Sequence, residues 1–166
     1  MISETISMVK NALTDPTYGV NTFLSSSNLQ LLEGVYTETD TYWVCVGGEP
    51  KTFPVLIVSL ADEVNFTMPE IRTSIRDVEV PIAISYWNKL VNTATGADHL
   101  YQTLSCVMNT IRQWSKNENA AARIDGQYQI VESVSVRQTT RAVSQDQDVN
   151  LLASLLIVFR VRDTNP

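Results

Sequence analysis

Apolar residues near the start of the chain recur every three or four positions, which is the spacing of one face of a helix. They are Ile2, Ile6, Val9 and Leu13. Ser3 is a suitable N-cap, and Asp15-Pro16 disfavours further helix. The pattern predicts a short helix over Ser3–Leu13. Within Tyr18–Gly34 it predicts a further short helix or turn followed by irregular chain.

The middle of the chain changes to the patterns of strands. Phe53–Leu60 is apolar at nearly every position, which indicates a strand buried on both faces. Arg76–Trp87 alternates strictly, as a strand with one buried face does. Its apolar positions are Val78, Val80, Ile82, Ile84 and Tyr86, and its polar positions include Asp77, Glu79 and Ser85. Tyr42–Val46 is a further predicted strand, closed by a turn at 47–50.

Between these strands, Val64–Ile75 carries evenly spaced apolar residues on either side of Met68-Pro69. This spacing predicts a long hairpin arm with Pro69 near its tip. A two-stranded arm is marginal in isolation, so we expect it to lie on something else, such as a neighbouring subunit.

The longest helical pattern runs over Asp98–Lys116, and Thr95 with Asp98 fits a capping box. Its apolar stripe consists of Tyr101, Leu104, Met108, Ile111 and Trp114. A polar loop follows, and then two more strands over Tyr128–Arg141 and Leu151–Arg162. The link between them, Ser144–Asp148, is polar and is expected to be exposed to solvent.

The order of elements is helix, three strands, long helix and two strands. This order favours an α+β fold, with a mainly antiparallel sheet packed on one face by the long helix and the short N-terminal helix. With 166 residues, no internal repeat and no linker, the chain is expected to form a single domain over residues 1–166.

Charge and composition exclude several classes of function. The net charge is −6 and no cluster of Lys or Arg occurs, which argues against general binding to a phosphate backbone. The longest apolar run is too short to span a membrane. Cys45 and Cys106 have no metal-ligand spacing, and with no signal peptide at Met1 we expect two free, buried thiols in a reducing cytosol.

Residues for catalysis are sparse. His99 is the only histidine, and we interpret it as a solvent-facing or helix-start residue. No nucleophile or phosphate-binding motif occurs, so we expect no enzyme activity, cofactor or metal. One alternative stays open, a carboxylate-dependent enzyme using Asp62, Glu63, Asp77 or Glu79.

Apolar residues on both faces of two predicted strands point towards assembly instead. One helical layer covers only one face of a small sheet, so something else must cover the second. A second copy of the chain is the simplest candidate. The alternative is that both strands are central in the sheet and the short N-terminal segments cover the second face.

The layout resembles the tail-terminator and tail-completion proteins of long-tailed bacteriophages. The resemblance covers nearly the whole chain and is one of architecture, without a defining motif. Its matching pieces are the helix Ser3–Leu13, the stretch Gly19–Leu24, the strand Phe53–Val58, the alternating strand ending in Val80–Ile84, the long helix from Ala97-Asp98 and the closing apolar strand.

The resemblance implies a structural virion protein rather than an enzyme. A hexameric ring would cap the head-proximal end of the tail tube, contacting the tail tube protein and the head–tail connector in the neck. DNA would pass through its lumen without specific binding, and assembly would take place in the host cytoplasm. The alternative within this class is a head–tail connector or another neck or baseplate adaptor.

Two segments are expected to make contacts between subunits or with partners: the predicted arm and the polar link. The family offers no signature that could be transferred residue by residue. The expected contact residues are Phe66, Met68, Pro69, Glu70, Ile71, Arg72, Asp146 and Asp148.

Overall fold

The computed structural model describes residues 2–40, 45–46, 49–50, 52–61, 65–66, 76–90, 93–116, 123–124, 128–145 and 148–163. The helices are α1 (Ile2–Leu13), α2 (Val20–Ser26) and α3 (Thr93–Lys116). The strands are β1 (Gly34–Thr37), β2 (Cys45–Val46), β3 (Glu49–Pro50), β4 (Val55–Leu60), β5 (Asn65–Phe66), β6 (Arg76–Leu90), β7 (Arg123–Ile124), β8 (Tyr128–Gln145) and β9 (Asp148–Asp163). The predicted α+β class is confirmed.

The main sheet has the order β1-β4-β6-β9-β8-β7, and β5 pairs with one end of β6. β1 lies parallel to β4, and every other pairing among the described strands is antiparallel. β2 and β3 form a separate small hairpin. β6, β9 and β8 are the three long strands, and β9 runs between the other two along nearly its whole length.

One core joins the three helices to a single face of the sheet. Val80, Ile82 and Ile84 of β6 and Ile157 and Phe159 of β9 are completely buried in it. These residues alternate along each strand, so each strand contributes every second side chain to the core. The edge of the Trp114 ring on α3 packs against Phe159, with ring centroids 5.8 Å apart.

α1 and α2 lie in the same helical layer as α3. Val9 and Leu13 of α1 and Leu24 of α2 belong to the core that α3 shares with the sheet. Both short helices contact α3, and α1 also contacts β4. The two strands with apolar residues on both faces, β4 and β9, are central in the sheet, as the alternative expected. Its second part is wrong, because α1 and α2 pack on the same face as α3 and do not cover the other face.

Several boundaries differ from the sequence prediction, and two of these differences change the interpretation of the residues involved. α3 begins at Thr93, five residues before Asp98, so His99 lies in the second turn rather than the first. The link between the last two strands is shorter than predicted, because Gln145 and Asp148 are paired at the end of the β8–β9 hairpin. Ser144, Gln145 and Asp148 of the predicted exposed link are thus strand residues.

β1 was not predicted as a strand, because it is short and contains Gly34. Its geometry shows how the glycine is accommodated. A Cβ added at Gly34 would lie 2.5 Å from Tyr36 Oη, since the Tyr36 ring lies over this position. An aromatic ring covering a strand glycine two residues away compensates for the missing side chain.

Candidate functional site

The face of the sheet opposite the helices is the candidate site, and we call it the outer face. Cross-strand register defines it, because residues directly opposite each other share a face. Its members with described side chains are Val55, Ile57, Ser59, Asp77, Glu79, Pro81, Ala83, Ser85, Trp87, Ser154, Leu156, Val158, Arg160 and Arg162. The described helices all pack on the other face.

One end of the outer face carries cross-strand ion pairs. Arg162 donates two hydrogen bonds to Asp77, from Nε at 2.9 Å and from Nη2 at 3.1 Å. Glu79 and Arg160 form a looser pair at 3.9 Å. The Arg162 guanidinium lowers the pKa of Asp77 below its usual value. This end of the face is therefore polar and internally neutralised.

Among the described side chains of β4, β6 and β9, the remainder of the outer face is mainly apolar. Val55 and Ile57 are buried on β4, while Ala83 on β6 and Leu156 and Val158 on β9 are half-buried. Ala83 lies directly opposite Leu156. We call Ala83, Trp87, Leu156 and Val158 the apolar band, because all four are partly open to solvent and lie on adjacent strands. Such a band on a sheet face is suited to contact another protein surface.

His99 has a structural position that the sequence interpretation missed. It is 9% exposed, and its Nε2 lies 3.0 Å from the carbonyl oxygen of Gln30. A carbonyl only accepts, so Nε2 carries the proton. Nδ1 forms a hydrogen bond with the hydroxyl of Tyr86, which itself accepts from Asn88 Nδ2 at 2.9 Å. His99 is a buried link between α3, β6 and the loop after α2, and the solvent-facing interpretation is wrong.

This chain of hydrogen bonds satisfies polar groups at the core boundary. Burial raises the pKa of Tyr86 well above its usual value, and the Asn88 hydrogen bond acts in the opposite direction. The alternating pattern placed Tyr86 on the buried face. A buried tyrosine hydroxyl normally requires a partner, and that requirement was the signal that could have pointed to His99.

A small cavity of about 140 Å³ lies where α1 and α2 meet β1. Asp15 and Asn21 of its lining have local hydrogen-bond partners. Asp15 Oδ1 accepts from the backbone N–H groups of Thr17 and Tyr18, and the Asn21 amide makes two hydrogen bonds to the backbone of Leu32. These contacts stabilise the loop geometry, so the hydrogen-bonding groups of Asp15 and Asn21 already serve the fold.

The predicted contact residues do not gather in one place where the structure describes them. Phe66 lies in β5 opposite Val78, and Asp148 begins β9, next to the residue paired with Leu90. Those two positions of β6 are twelve residues apart (90 − 78), which is roughly 40 Å along a strand. Met68, Pro69, Glu70, Ile71, Arg72 and Asp146 lie outside the described residues.

The carboxylates of the enzyme alternative are ion-pair partners where they are described. Asp77 and Glu79 each lie opposite an arginine of β9, and neither lines the cavity beside α1. Asp62 and Glu63 lie outside the described residues. In the described part of the chain, no three His, Cys, Asp or Glu residues are grouped so as to hold a metal ion.

Cys106 is a buried free thiol on α3, as expected, and burial raises its pKa. The side chain of Cys45 is outside the described set. Of the helices described, none is long and apolar enough to cross a membrane. A comparison with protein-family models gives no match for this chain, and a comparison with curated protein sequences gives none either.

Proposed function

We propose that this protein is a structural subunit that assembles into a ring at the head-proximal end of a phage tail tube and joins it to the neck. The observation that carries the proposal is the apolar band on the outer face. The described helices cover one face of the sheet, and the other presents Ala83, Leu156 and Val158 half-buried on adjacent strands. A subunit of this design gains free energy when another protein surface covers the band.

The distribution of chemistry over the described residues agrees with a structural role. The buried polar groups Tyr86 and His99 bind each other, and the paired charges of the outer face neutralise each other. The net charge of −6 per copy suits a ring through which DNA passes without being retained. The mechanism is geometric: the ring docks on the last ring of the tube, caps its growing end and presents a new surface to the connector.

The first experiment measures the mass of the purified protein by light scattering after size exclusion, over a range of concentrations and salt. We expect a discrete closed oligomer of about six copies, with a central hole in electron micrographs. Growing tubes of the tail tube protein should stop elongating when the ring is added. A protein that neither forms a closed oligomer nor binds tube ends would contradict the proposal.

Outer-face variants make this test specific. Leu156→Lys and Val158→Lys place a charge on the apolar band, and we expect both to abolish tube capping while the far-ultraviolet circular dichroism stays unchanged. Gln113→Lys, on the exposed side of α3, is the matched control and should cap normally. Equal loss of capping in all three variants would show that added charge, not the band, is responsible.

The head–tail connector alternative differs in its partner. A connector binds the portal side of the neck in the absence of tubes, whereas a terminator binds tube ends first. Mixing the protein with isolated tubes and, separately, with tail-less heads distinguishes the two, because the preferred partner sediments with it.

A further inference from the structure

We infer that copies of this chain join edge to edge, with β8 of one copy paired to β1 of the next. The inference rests on the self-assembly in the proposed function and names the contact that builds the ring. It concerns the two ends of the sheet, which are different strands with different neighbours.

Among the strands that the structure describes, β8 has a long open edge. On one side it pairs with β9 along nearly all of its length. On the other side β7 reaches only Tyr128 and Gln129, and no further described strand lies beside residues 130–145. An unpaired edge of this length presents a row of backbone donors and acceptors to any strand that approaches.

The irregularities of β8 are confined to one end. Register shifts relative to β9 occur between Ile130 and Glu132 and between Ser133 and Ser135, near β7. From Ser135 to Gln145 the register with β9 is unbroken. Bulges are one way in which proteins protect an edge from pairing. Their restriction to the β7 end leaves a regular stretch, Ser135–Gln145, that can accept another strand.

β1 is the opposite end of the sheet. Among the described strands it pairs only with β4, and the N–H of Glu33 donates to Pro54 O on that side at 2.8 Å. Backbone groups of successive strand residues point to alternate sides, so the groups of Gly34 and Tyr36 face away from β4. They are the natural hydrogen-bonding partners for an added strand.

Strand directions make a head-to-tail contact antiparallel. β1 runs with β4, β6 runs against β4, β9 runs against β6, and β8 runs against β9. β8 therefore runs opposite to β1. When two copies lie side by side in the same orientation, β8 of the first meets β1 of the second as an antiparallel pair, and the sheet continues. A contact between two different edges closes into a ring when repeated by rotation.

The charges of the two edges favour pairing of β8 with β1 over pairing of β8 with the β8 strand of another copy. The stretch Ser135–Gln145 contains Arg137 and Arg141 and no acidic residue. β1 is flanked by Glu33 and Glu38, both exposed, and no Lys or Arg occurs between Lys10 and Lys51. Two β8 strands paired with each other would bring four arginines together, which is destabilising across a strand pair. The basic edge and the acidic edge attract each other.

Cross-linking tests the pairing directly. In a background with Cys45→Ser and Cys106→Ala, checked for folding by circular dichroism, we introduce Glu33→Cys beside β1 and Thr139→Cys in β8. A short bismaleimide should link a mixture of the two single variants into dimers. The chain with both cysteines should give a ladder of covalent oligomers that ends at the ring size, and neither single variant should react with itself.

Three results would overturn the inference. Self-linking of Thr139→Cys would show a two-fold β8–β8 contact instead. A ring that forms without any cross-link would place the contact elsewhere and leave the proposed function intact. A protein that stays monomeric at the highest concentration reached would refute pairing of its own edges, and the tube-capping assay would then judge the proposed function separately.

Charge reversal is an independent test. Arg137→Glu with Arg141→Glu, and separately Glu33→Lys, should each raise the dissociation constant of the oligomer about tenfold or more at low salt. Combining all three changes should restore part of the affinity. Asn109→Glu with Gln113→Glu, on the exposed surface of α3, is the control and should leave assembly unchanged. Absence of any rescue in the combined variant would contradict the contact.

Discussion

The inner and outer faces of β6 and β9 belong to the same strands but are stabilised differently. On the inner face, residues such as Ile82 and Ile157 are completely buried beneath the helices. On the outer face, their neighbours Ala83 and Leu156 are half-buried, and ion pairs replace apolar contacts at one end. The difference shows that the inner face of β6 and β9 contributes more to the stability of the single chain than their outer face does, because more of its apolar surface is buried.

The largest expected difference between the two faces can be tested with two adjacent leucines that lie on opposite faces. Leu155 is 2% exposed in the core, and Leu156 belongs to the apolar band. Leu155→Ala should lower the free energy of unfolding by about 2–5 kcal/mol, because it removes buried contacts and leaves a cavity. Leu156→Ala should lower it by about 1 kcal/mol or less in the monomer. Urea denaturation measures both, and equal losses would refute the distinction between the faces.

A second test concerns the polar end of the inner face. Tyr86→Phe removes the hydroxyl that binds both Asn88 and His99 and leaves a buried imidazole nitrogen without its hydrogen-bond partner. We expect the free energy of unfolding to fall by about 1–3 kcal/mol, since an orphaned buried polar group loses its solvation without compensation. Tyr101→Phe on the exposed side of α3 is the matched control, and it should leave the free energy of unfolding nearly unchanged.

A smaller effect of opposite sign is expected within the same core. The hydroxyl of Thr110 on α3 is buried and has no hydrogen-bond partner among the described atoms. Thr110→Val replaces the hydroxyl with a methyl group of similar size. The free energy of unfolding should therefore rise by about 1 kcal/mol, and the variant should unfold at a higher temperature. Ser105→Val on the exposed side of α3 is the control and should give no comparable gain. Destabilisation by Thr110→Val would show that the hydroxyl is satisfied in solution.

The weakest test compares an ion pair of the helical layer with one of the outer face. Asp40 accepts from Lys10 Nζ at 2.7 Å and from Thr37, and these contacts lower its pKa to about 2. Because the folded pKa lies below the unfolded value of about 4, the contribution is present above pH 4 and is lost as the pH falls towards 2. In the Asp40→Asn variant, the free energy of unfolding should depend less on pH over this range.

Solvent screening keeps the effect of Asp40 under about 1 kcal/mol, since the side chains of the pair are 32% and 40% exposed. Asp77→Asn provides the outer-face counterpart, because the pKa of Asp77 is lowered in the same direction by Arg162. In both variants the free energy of unfolding should fall less steeply as the pH is lowered than it does in the unmodified protein. An unchanged acid transition in both would mean that neither ion pair persists in solution.

The local pattern of apolar and polar residues was sufficient to predict that the long helix and the long strands exist. Alternation over Arg76–Trp87 predicted β6, because a strand with one buried face repeats every two residues. The start of α3 was missed because residues 93–97 are small or polar and show no apolar periodicity. β1 was missed because four residues form a strand there through pairing with β4, which is a tertiary effect.

The candidate site was predictable only in its general character. Apolar residues on both faces of β4 indicated that the sheet has a second buried or covered face, and Val55 and Ile57 are indeed buried there. Sequence did not predict which residues meet on that face, because β6 and β9 are adjacent in the sheet but distant along the chain. The separation of Phe66 from Asp148 follows from the same strand order.

That strand order also determines when the protein can fold during synthesis. Ser85 of β6 and Ser154 of β9 form a cross-strand hydrogen bond although they are 69 residues apart. At roughly 5–20 residues per second, β9 emerges from the ribosome several seconds after β6. During that interval the apolar residues of β6 lack their neighbouring strand, and pairings with such high contact order form slowly. The nascent chain should therefore bind holdase chaperones until β9 is complete.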